Sequence, residues 1–156
     1  MLTISEGDIT YFDDCVETFI HSALASKHFP DRKMIEGFLR EAFSKKEVHL
    51  AFDEEKGFVG FICFDSNGMF SHFPYLAMIA VREDYRSMGM GTKLLQYFED
   101  LGFSSAAKIF LTVSDFNVRA KKLYEKRDYK EIAFIPDLYR KGYSEYIMMK
   151  ERPDPS

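Results

Sequence analysis

The chain has little with which to staple itself together, cross a membrane or grip a nucleic acid. Cysteine is scarce: Cys15 and Cys63 are far apart and belong to no Cys-x-x-Cys or His-paired spacing. That leaves no disulfide framework and no metal site, and both residues read as reduced thiols of a cytoplasmic protein. No apolar run approaches the roughly 20 residues of a membrane span. Basic residues are outnumbered, 21 Lys and Arg against 25 Asp and Glu, giving a net charge of −4 and a pI near 5.6. Such a balance disfavours nucleic acid and suits a cationic or amine-bearing partner. Near the N-terminus Glu6, Asp8, Asp13 and Asp14 stand where a signal peptide needs basic residues, so export is not expected. Repeats, low-complexity tracts and linkers are missing too. What is present is 156 residues, 46% hydrophobic and 16% aromatic, enough for one well-cored domain. We place that domain at 1–150 and read 151–156, with two prolines, as a frayed tail.

Hydrophobic periodicity supplies the elements. Leu2–Ile4 alternates as a short strand. From Ile9, the residues Phe12, Val16, Phe19, Ile20 and Ala23 trace one helical face. Pro30-Asp31 interrupts, with Asp31 as N-cap of a second helix striped by Met34, Ile35, Phe38, Leu39, Ala42 and Phe43. Val48–Phe52 reads as a strand, Asp53–Gly57 as a turn and Phe58–Phe64 as the returning strand. Asp65-Ser66-Asn67-Gly68 carries the Asn-Gly turn signal. Tyr75–Val81 is a buried strand, and Leu94, Leu95, Phe98 and Leu101 mark a helix behind it. Lys108–Val113 is the next strand, and Asn117 caps a helix bearing Ala120, Leu123 and Tyr124. Tyr129–Ile135, a Pro136-Asp137 turn and Ser144–Lys150 complete the chain. The order implies an α/β (α+β) single domain: a mixed, mostly antiparallel twisted sheet of roughly six to seven strands, with about four helices on both faces.

Between the Tyr75 strand and its helix lies Arg86-Ser87-Met88-Gly89-Met90-Gly91-Thr92. A loop that opens a helix presents unpaired backbone N–H groups and about half a positive charge, which together favour an anion. Glycines remove Cβ atoms and let a phosphate approach the backbone. The loop is not a Walker A motif, because Lys93 follows Gly91 by two positions and the spacer between glycines is missing; nor is it the dinucleotide fingerprint. The plain alternative is an ordinary tight turn.

Arg86-Ser87-Met88-Gly89-Met90-Gly91 resembles the Arg/Gln-x-x-Gly-x-Gly/Ala loop of the GNAT superfamily, the acyl-CoA-dependent N-acyltransferases. Asn117-Val118-Arg119-Ala120-Lys121-Lys122-Leu123-Tyr124-Glu125-Lys126 resembles that family's Asn-x-x-Ala-x-x-Leu-Tyr-Glu-Lys pattern, about 25 residues further on. The resemblance covers Phe58 to Lys150 well and implies a GNAT-like sheet. It implies that Arg86 and the amides from Ser87 through Met88, Gly89, Met90 and Gly91 to Thr92 hold the pyrophosphate of coenzyme A. The pantetheine arm would lie where a bulge splays the Tyr75 strand, bonded near Ile79 and Val81, with Asn117 close by. Tyr124 would be the general acid for the leaving thiolate, and Tyr139, on the Pro136–Gly142 loop, would face the acceptor. Helix capping by Asn117 and packing by Tyr124 or Tyr139 are the structural alternatives. The segment Lys27–Arg32 would line the acceptor site.

The implied activity is acetyl transfer from acetyl-CoA to a primary amine of a small molecule, without a metal. Acetylation of a peptide N-terminus or lysine is the near alternative, and a non-catalytic acyl-CoA sensor the distant one; a homodimer is compatible with each. Two departures matter. Thr112 stands where N-terminal acetyltransferases of the superfamily often carry a glutamate base. Asp128-Tyr129 replaces the usual Gly-Phe, so Asp128 is expected to take a left-handed conformation.

Overall fold

A computed structural model describes residues 1–29 and 31–154. Its strands are β1 (Leu2–Glu6), β2 (Val48–Asp53), β3 (Gly57–Met69), β4 (Phe73–Val81), β5 (Lys108–Ser114), β6 (Lys130–Arg140) and β7 (Tyr143–Glu151). Its helices are α1 (Phe12–Ile20), α2 (Ala23–His28), α3 (Arg32–Ser44), α4 (Met90–Ser105) and α5 (Val118–Lys126), with 3-10 turns at Ile9–Tyr11 and Glu83–Tyr85. The strands form a seven-stranded sheet in the order β1-β2-β3-β4-β5-β7-β6. β4 runs parallel to β5, and β1–β2, β2–β3, β5–β7 and β6–β7 are antiparallel. This is the mixed, mostly antiparallel sheet expected, with five helices. Residue contacts divide the chain into two compact units, Met1–Phe64 with Met78–Phe98, and Asp65–Ala77 with Glu99–Ser156.

In the first unit, β3 is buried without interruption from Phe58 to Phe64, because helices cover it on both sides. Phe61 and Cys63 point into a core with Val16 and Phe19 of α1 and Ile35 and Leu39 of α3. Phe64, of opposite parity, meets Phe98 of α4 edge-on at 5.3 Å. Each fully buried large side chain contributes about 1.5–3 kcal/mol. Gly60 lets the backbones close up, since a Cβ there would lie 2.4 Å from the Ala80 carbonyl oxygen. Cys15 and Cys63 are free and buried, and burial pushes both thiols upward, so they are inert core residues.

The single helix expected from Ile9 to Ala23 is instead a 3-10 turn followed by α1 and α2. Ser22 separates them: it is extended (φ −86°, ψ 156°) and its hydroxyl accepts from the Ala25 N–H at 3.1 Å. A serine that caps the next helix competes with continuation of the last one. Asp31 caps α3 as expected, accepting from the Lys33 N–H at 2.7 Å. Pro30 lies outside the described residues.

In the second unit, β5 carries the core through Ile109, Phe110, Leu111 and Val113, with Met148 of β7 against it. Gly102 of α4 sits tight on this sheet, since a Cβ would be 2.8 Å from Ile109 Cγ2. Two expected turns are strand here. Asp65–Gly68 continues β3, because Gly68 makes room for Tyr75: a Cβ would fall 2.8 Å from that of Tyr75. The chain reverses instead at Phe70 and Ser71, both at φ 55°, where the His72 N–H donates to the Met69 carbonyl at 3.1 Å. Positive φ at both central residues matches the twist of the flanking strands. Pro136-Asp137 likewise lies inside β6, at a register shift between Ile135 and Arg140, and the reversal falls at Lys141-Gly142. Proline lacks a ladder donor and is accommodated at such an irregularity. The Asp137 carboxylate accepts from the Gly142 N–H at 2.6 Å and braces the tip. At the C-terminus the Arg152 N–H donates to the Ala107 carbonyl at 2.8 Å; of the expected tail, Pro155 and Ser156 lie outside the described residues.

Candidate functional site

The residues singled out from the sequence fall in both units. Ile79, Val81 and the whole run Arg86–Thr92 belong to the first, and Asn117, Tyr124 and Tyr139 to the second.

The loop of the first unit is anchored before it begins. Tyr85 is buried, and the Arg82 guanidinium and Lys56 ammonium each lie 5.6 Å from its ring centroid. The Arg86 Nε donates to the Val81 carbonyl at 3.2 Å, tying the guanidinium to the end of β4. Ser87 to Gly89 are exposed, with Ser87 at φ 67° and Gly89 at φ 77°. The left-handed serine stores strain of order 1–3 kcal/mol, a feature that gathers at ligand-holding turns. The Lys93 N–H makes a helical bond, to the Gly89 carbonyl at 3.1 Å. By helix geometry the N–H groups of Met90, Gly91 and Thr92 precede it.

The two glycines differ. Gly89 is demanded by its φ. Gly91 has no such φ, and a Cβ built on it meets nothing within 4 Å. Neither turn geometry nor packing requires a glycine at that position. Its bare backbone is open space at the head of a 16-residue helix, which is what close approach of an anion requires. A cavity of about 270 Å3 in the same unit shares Arg86 with the loop and is lined by Asp14, Glu17, Glu83 and Asp84. Four carboxylates there, against the guanidiniums of Arg82 and Arg86, do not suit a phosphate.

In the second unit Asn117 caps α5, accepting from the Ala120 N–H at 3.3 Å. Tyr124, on the last turns of that helix, is partly buried, and its ring meets Tyr129 edge-on at 5.7 Å. Burial pushes its hydroxyl up to about 12, so at neutral pH it is a protonated hydrogen-bond donor. Asp128 ends α5 at φ 71°, as expected. Tyr129 is held by a carboxylate that sequence reading missed. Glu99, 2% exposed, accepts from the Tyr129 hydroxyl at 2.9 Å and pairs with Arg127 at 2.6 Å and Lys150 at 3.2 Å. This buried cluster fixes the end of α5 just after Tyr124.

Tyr139 is 58% exposed, and its hydroxyl reaches that of Tyr75 on β4. The Tyr75 hydroxyl in turn meets the Thr112 hydroxyl at 2.8 Å. Thr112 thus binds a tyrosine from the neighbouring strand. Tyr75, and Glu145, a buried carboxylate on β7, were also missed. Their signal was faint: a lone hydroxyl in Tyr75–Val81, and an acid near the start of β7. Among the described residues no group of His, Cys, Asp and Glu is placed to hold a metal, and no helix is long and apolar enough to cross a membrane.

Comparison with known proteins bears on the family and the fold. The profile of the acetyltransferase (GNAT) family matches residues 13–129. An uncharacterised N-acetyltransferase of Methanocaldococcus jannaschii is 30% identical over 82 residues, 51% of this chain and 53% of that protein. An N-alpha-acetyltransferase of Sulfurisphaera tokodaii is 34% identical over 76 residues, 47% of this chain and 46% of its own length. The chain thus matches about half the length of these relatives. The crystal structure of a GNAT-family acetyltransferase from Bacillus cereus superposes with a TM-score of 0.77, covering 99% of both chains. At 18% identity that likeness is one of fold.

Proposed function

This chain belongs to the acetyltransferase (GNAT) family, and from that premise we propose that it transfers an acetyl group from acetyl-CoA to a primary amine of a small molecule. The observation that carries the reading is Gly91, a glycine that neither its φ nor its packing requires, at the head of α4. The pyrophosphate of coenzyme A binds the amides from Ser87 to Thr92, aided by Arg86. Charge-assisted hydrogen bonds of this kind contribute about 1.5–3 kcal/mol each. Ile79, Val81 and Asn117 hold the pantetheine arm. The amine attacks the thioester carbon, the C–N bond forms, the C–S bond breaks and the sulfur takes a proton. Tyr124 assists at the sulfur. A hydroxyl raised to about 12 is a weaker acid than a thiol of about 8.5, so its main work is to donate a hydrogen bond to the departing thiolate. Tyr139 meets the acceptor, its ring face attracting the ammonium. The buried, unreactive Cys15 and Cys63 suit a cytoplasmic setting, and the catalytic domain is taken as 1–150.

The name of the Sulfurisphaera tokodaii relative favours a second reading, in which the acceptor is a peptide α-amine. Thr112 weighs mildly against it. Free-thiol release from acetyl-CoA, measured across amines, amino acids and peptides, decides. Small amines should give the highest kcat/KM. Preference for a peptide N-terminus would move the assignment to the second reading, and no acceptor-dependent release would leave a CoA-binding sensor.

A further inference from the structure

The second unit holds two buried carboxylates in opposite surroundings. Glu99 is met by Arg127, Lys150 and the Tyr129 hydroxyl, so its charge is fully paired and hydrogen-bonded. Glu145 on β7, 3% exposed, is faced by hydroxyls and a like charge. Ser114 of β5 hydrogen-bonds to it, Asp115 adds its negative charge, and Tyr75 of β4 lies within its field. On the β6 side the registered neighbour is Ile135.

Register puts these groups on one face of the sheet. Ser114 pairs with Glu145, Thr112 with Ile147 two residues on, and Phe110 with Tyr75. Side chains of paired residues share a face, as do those two apart. Along that face runs a gradient of burial. Tyr139 is 58% exposed, its hydroxyl meets that of the half-buried Tyr75, and beyond Tyr75 lies Glu145 at 3%. The two tyrosine hydroxyls lead inward from solvent, and the Glu145 carboxylate acts on the inner one through its charge rather than through a direct hydrogen bond.

We propose that Glu145 takes the proton from the acceptor's incoming ammonium, relayed through the hydroxyls of Tyr139 and Tyr75 and a water bridging Tyr75 to the carboxylate. This rests on the acetyl-transfer reading and narrows it to acceptors that arrive as ammonium ions. The proton count closes. The ammonium gives one proton to Glu145, which returns it to solvent. The resulting amine forms the C–N bond, and its second proton leaves with the thiolate as coenzyme A thiol. Burial raises the Glu145 carboxyl above its ordinary value, opposed by the Ser114 bond and reinforced by Asp115. A base is most effective when shifted toward the working pH.

The test measures kcat/KM from pH 6 to 10 with butylamine, spermidine, lysine and a free tripeptide as acceptors. Wild type, Glu145→Gln and Tyr75→Phe are compared, with coenzyme A affinity and melting temperature recorded for each. At pH 7, Glu145→Gln should lose about 10²- to 10⁴-fold on an amine that wild type accepts. The loss should shrink toward pH 10, where the amine deprotonates unaided, and coenzyme A affinity should stay unchanged. Tyr75→Phe should show the same pH-dependent deficit in smaller measure. A Glu145→Gln rate within twofold of an active wild type would overturn the inference and leave acetyl transfer standing. So would a pH-independent loss with weakened coenzyme A binding and a lowered melting temperature. A wild type inactive on all four amines would overturn the acetyl-transfer reading itself, and this one with it.

Discussion

The loop at Gly89–Gly91 and the cluster around Glu145 are built by opposite means. The loop is exposed and made of backbone, with amides at a helix head, one glycine at positive φ and a second that packing does not require. The cluster runs inward from the exposed Tyr139 to the buried Glu145 and is made of side chains from β4, β5, β6 and β7. A backbone site tolerates most side chains around it and is broken only where a Cβ intrudes. A side-chain site depends on each atom and on whatever holds the strands in register. The two should therefore fail differently when perturbed.

The largest effect is expected at Glu99, the structural counterpart of Glu145. Removing one partner from a buried, paired charge costs about 3–5 kcal/mol, because the remaining charges stay buried unpaired. Glu99→Ala should thus lower the melting temperature by something on the order of 10 °C. Calorimetric melting checks this; a change within about 2 °C, which corresponds to less than about 1 kcal/mol in a chain of this size, would show that Arg127 and Lys150 find other partners. Next in size is Tyr124→Phe, which should slow acetyl transfer by about 10- to 100-fold, the worth of one hydrogen bond to a charged sulfur, while leaving coenzyme A affinity intact. Stopped-assay kinetics with binding measured in parallel would show it. Equal loss of rate and affinity would make Tyr124 a packing residue against Tyr129.

The two regions also differ in what sequence could reveal of them. Whereas Gly91 answers to no conformational demand within the protein, Gly89 was legible because such a demand on the backbone leaves its mark in residue type. Asn117 and Asp31 were legible for the same reason, each capping its own helix. The Glu145 cluster was not, since its members are up to 70 positions apart, from Tyr75 to Glu145, and meet only through strand register. Asp65–Gly68 misled because Asn-Gly is a strong local turn signal. Here Gly68 answers to the bulk of Tyr75 across the strands rather than to its own φ. Tertiary packing overruled a short-range preference, as at Pro136-Asp137, where the strand runs on through an irregularity.

Smaller effects should appear as opposed pH slopes of stability. Burial raises the Glu145 carboxyl above its ordinary 4.5. Between those two values the native state keeps a proton that the unfolded chain has lost, so stability falls as pH rises through the window. Burial lowers His49, in the first unit, below its ordinary 6.5. There the unfolded chain binds the extra proton, so stability falls as pH drops below 6.5. Chemical denaturation across pH should show Glu145→Gln abolishing the first slope and His49→Gln the second. Slopes unchanged by both variants would mean that other groups carry them.

The most direct measurement is titration of coenzyme A into wild type and Gly91→Val by isothermal calorimetry. A Cβ at Gly91 meets no protein atom within 4 Å, so this change should leave folding nearly untouched. The account predicts one-to-one binding to wild type, and an affinity at least about tenfold weaker in the variant, the worth of one hydrogen bond. Equal affinity in both proteins would contradict it and remove the loop from the site.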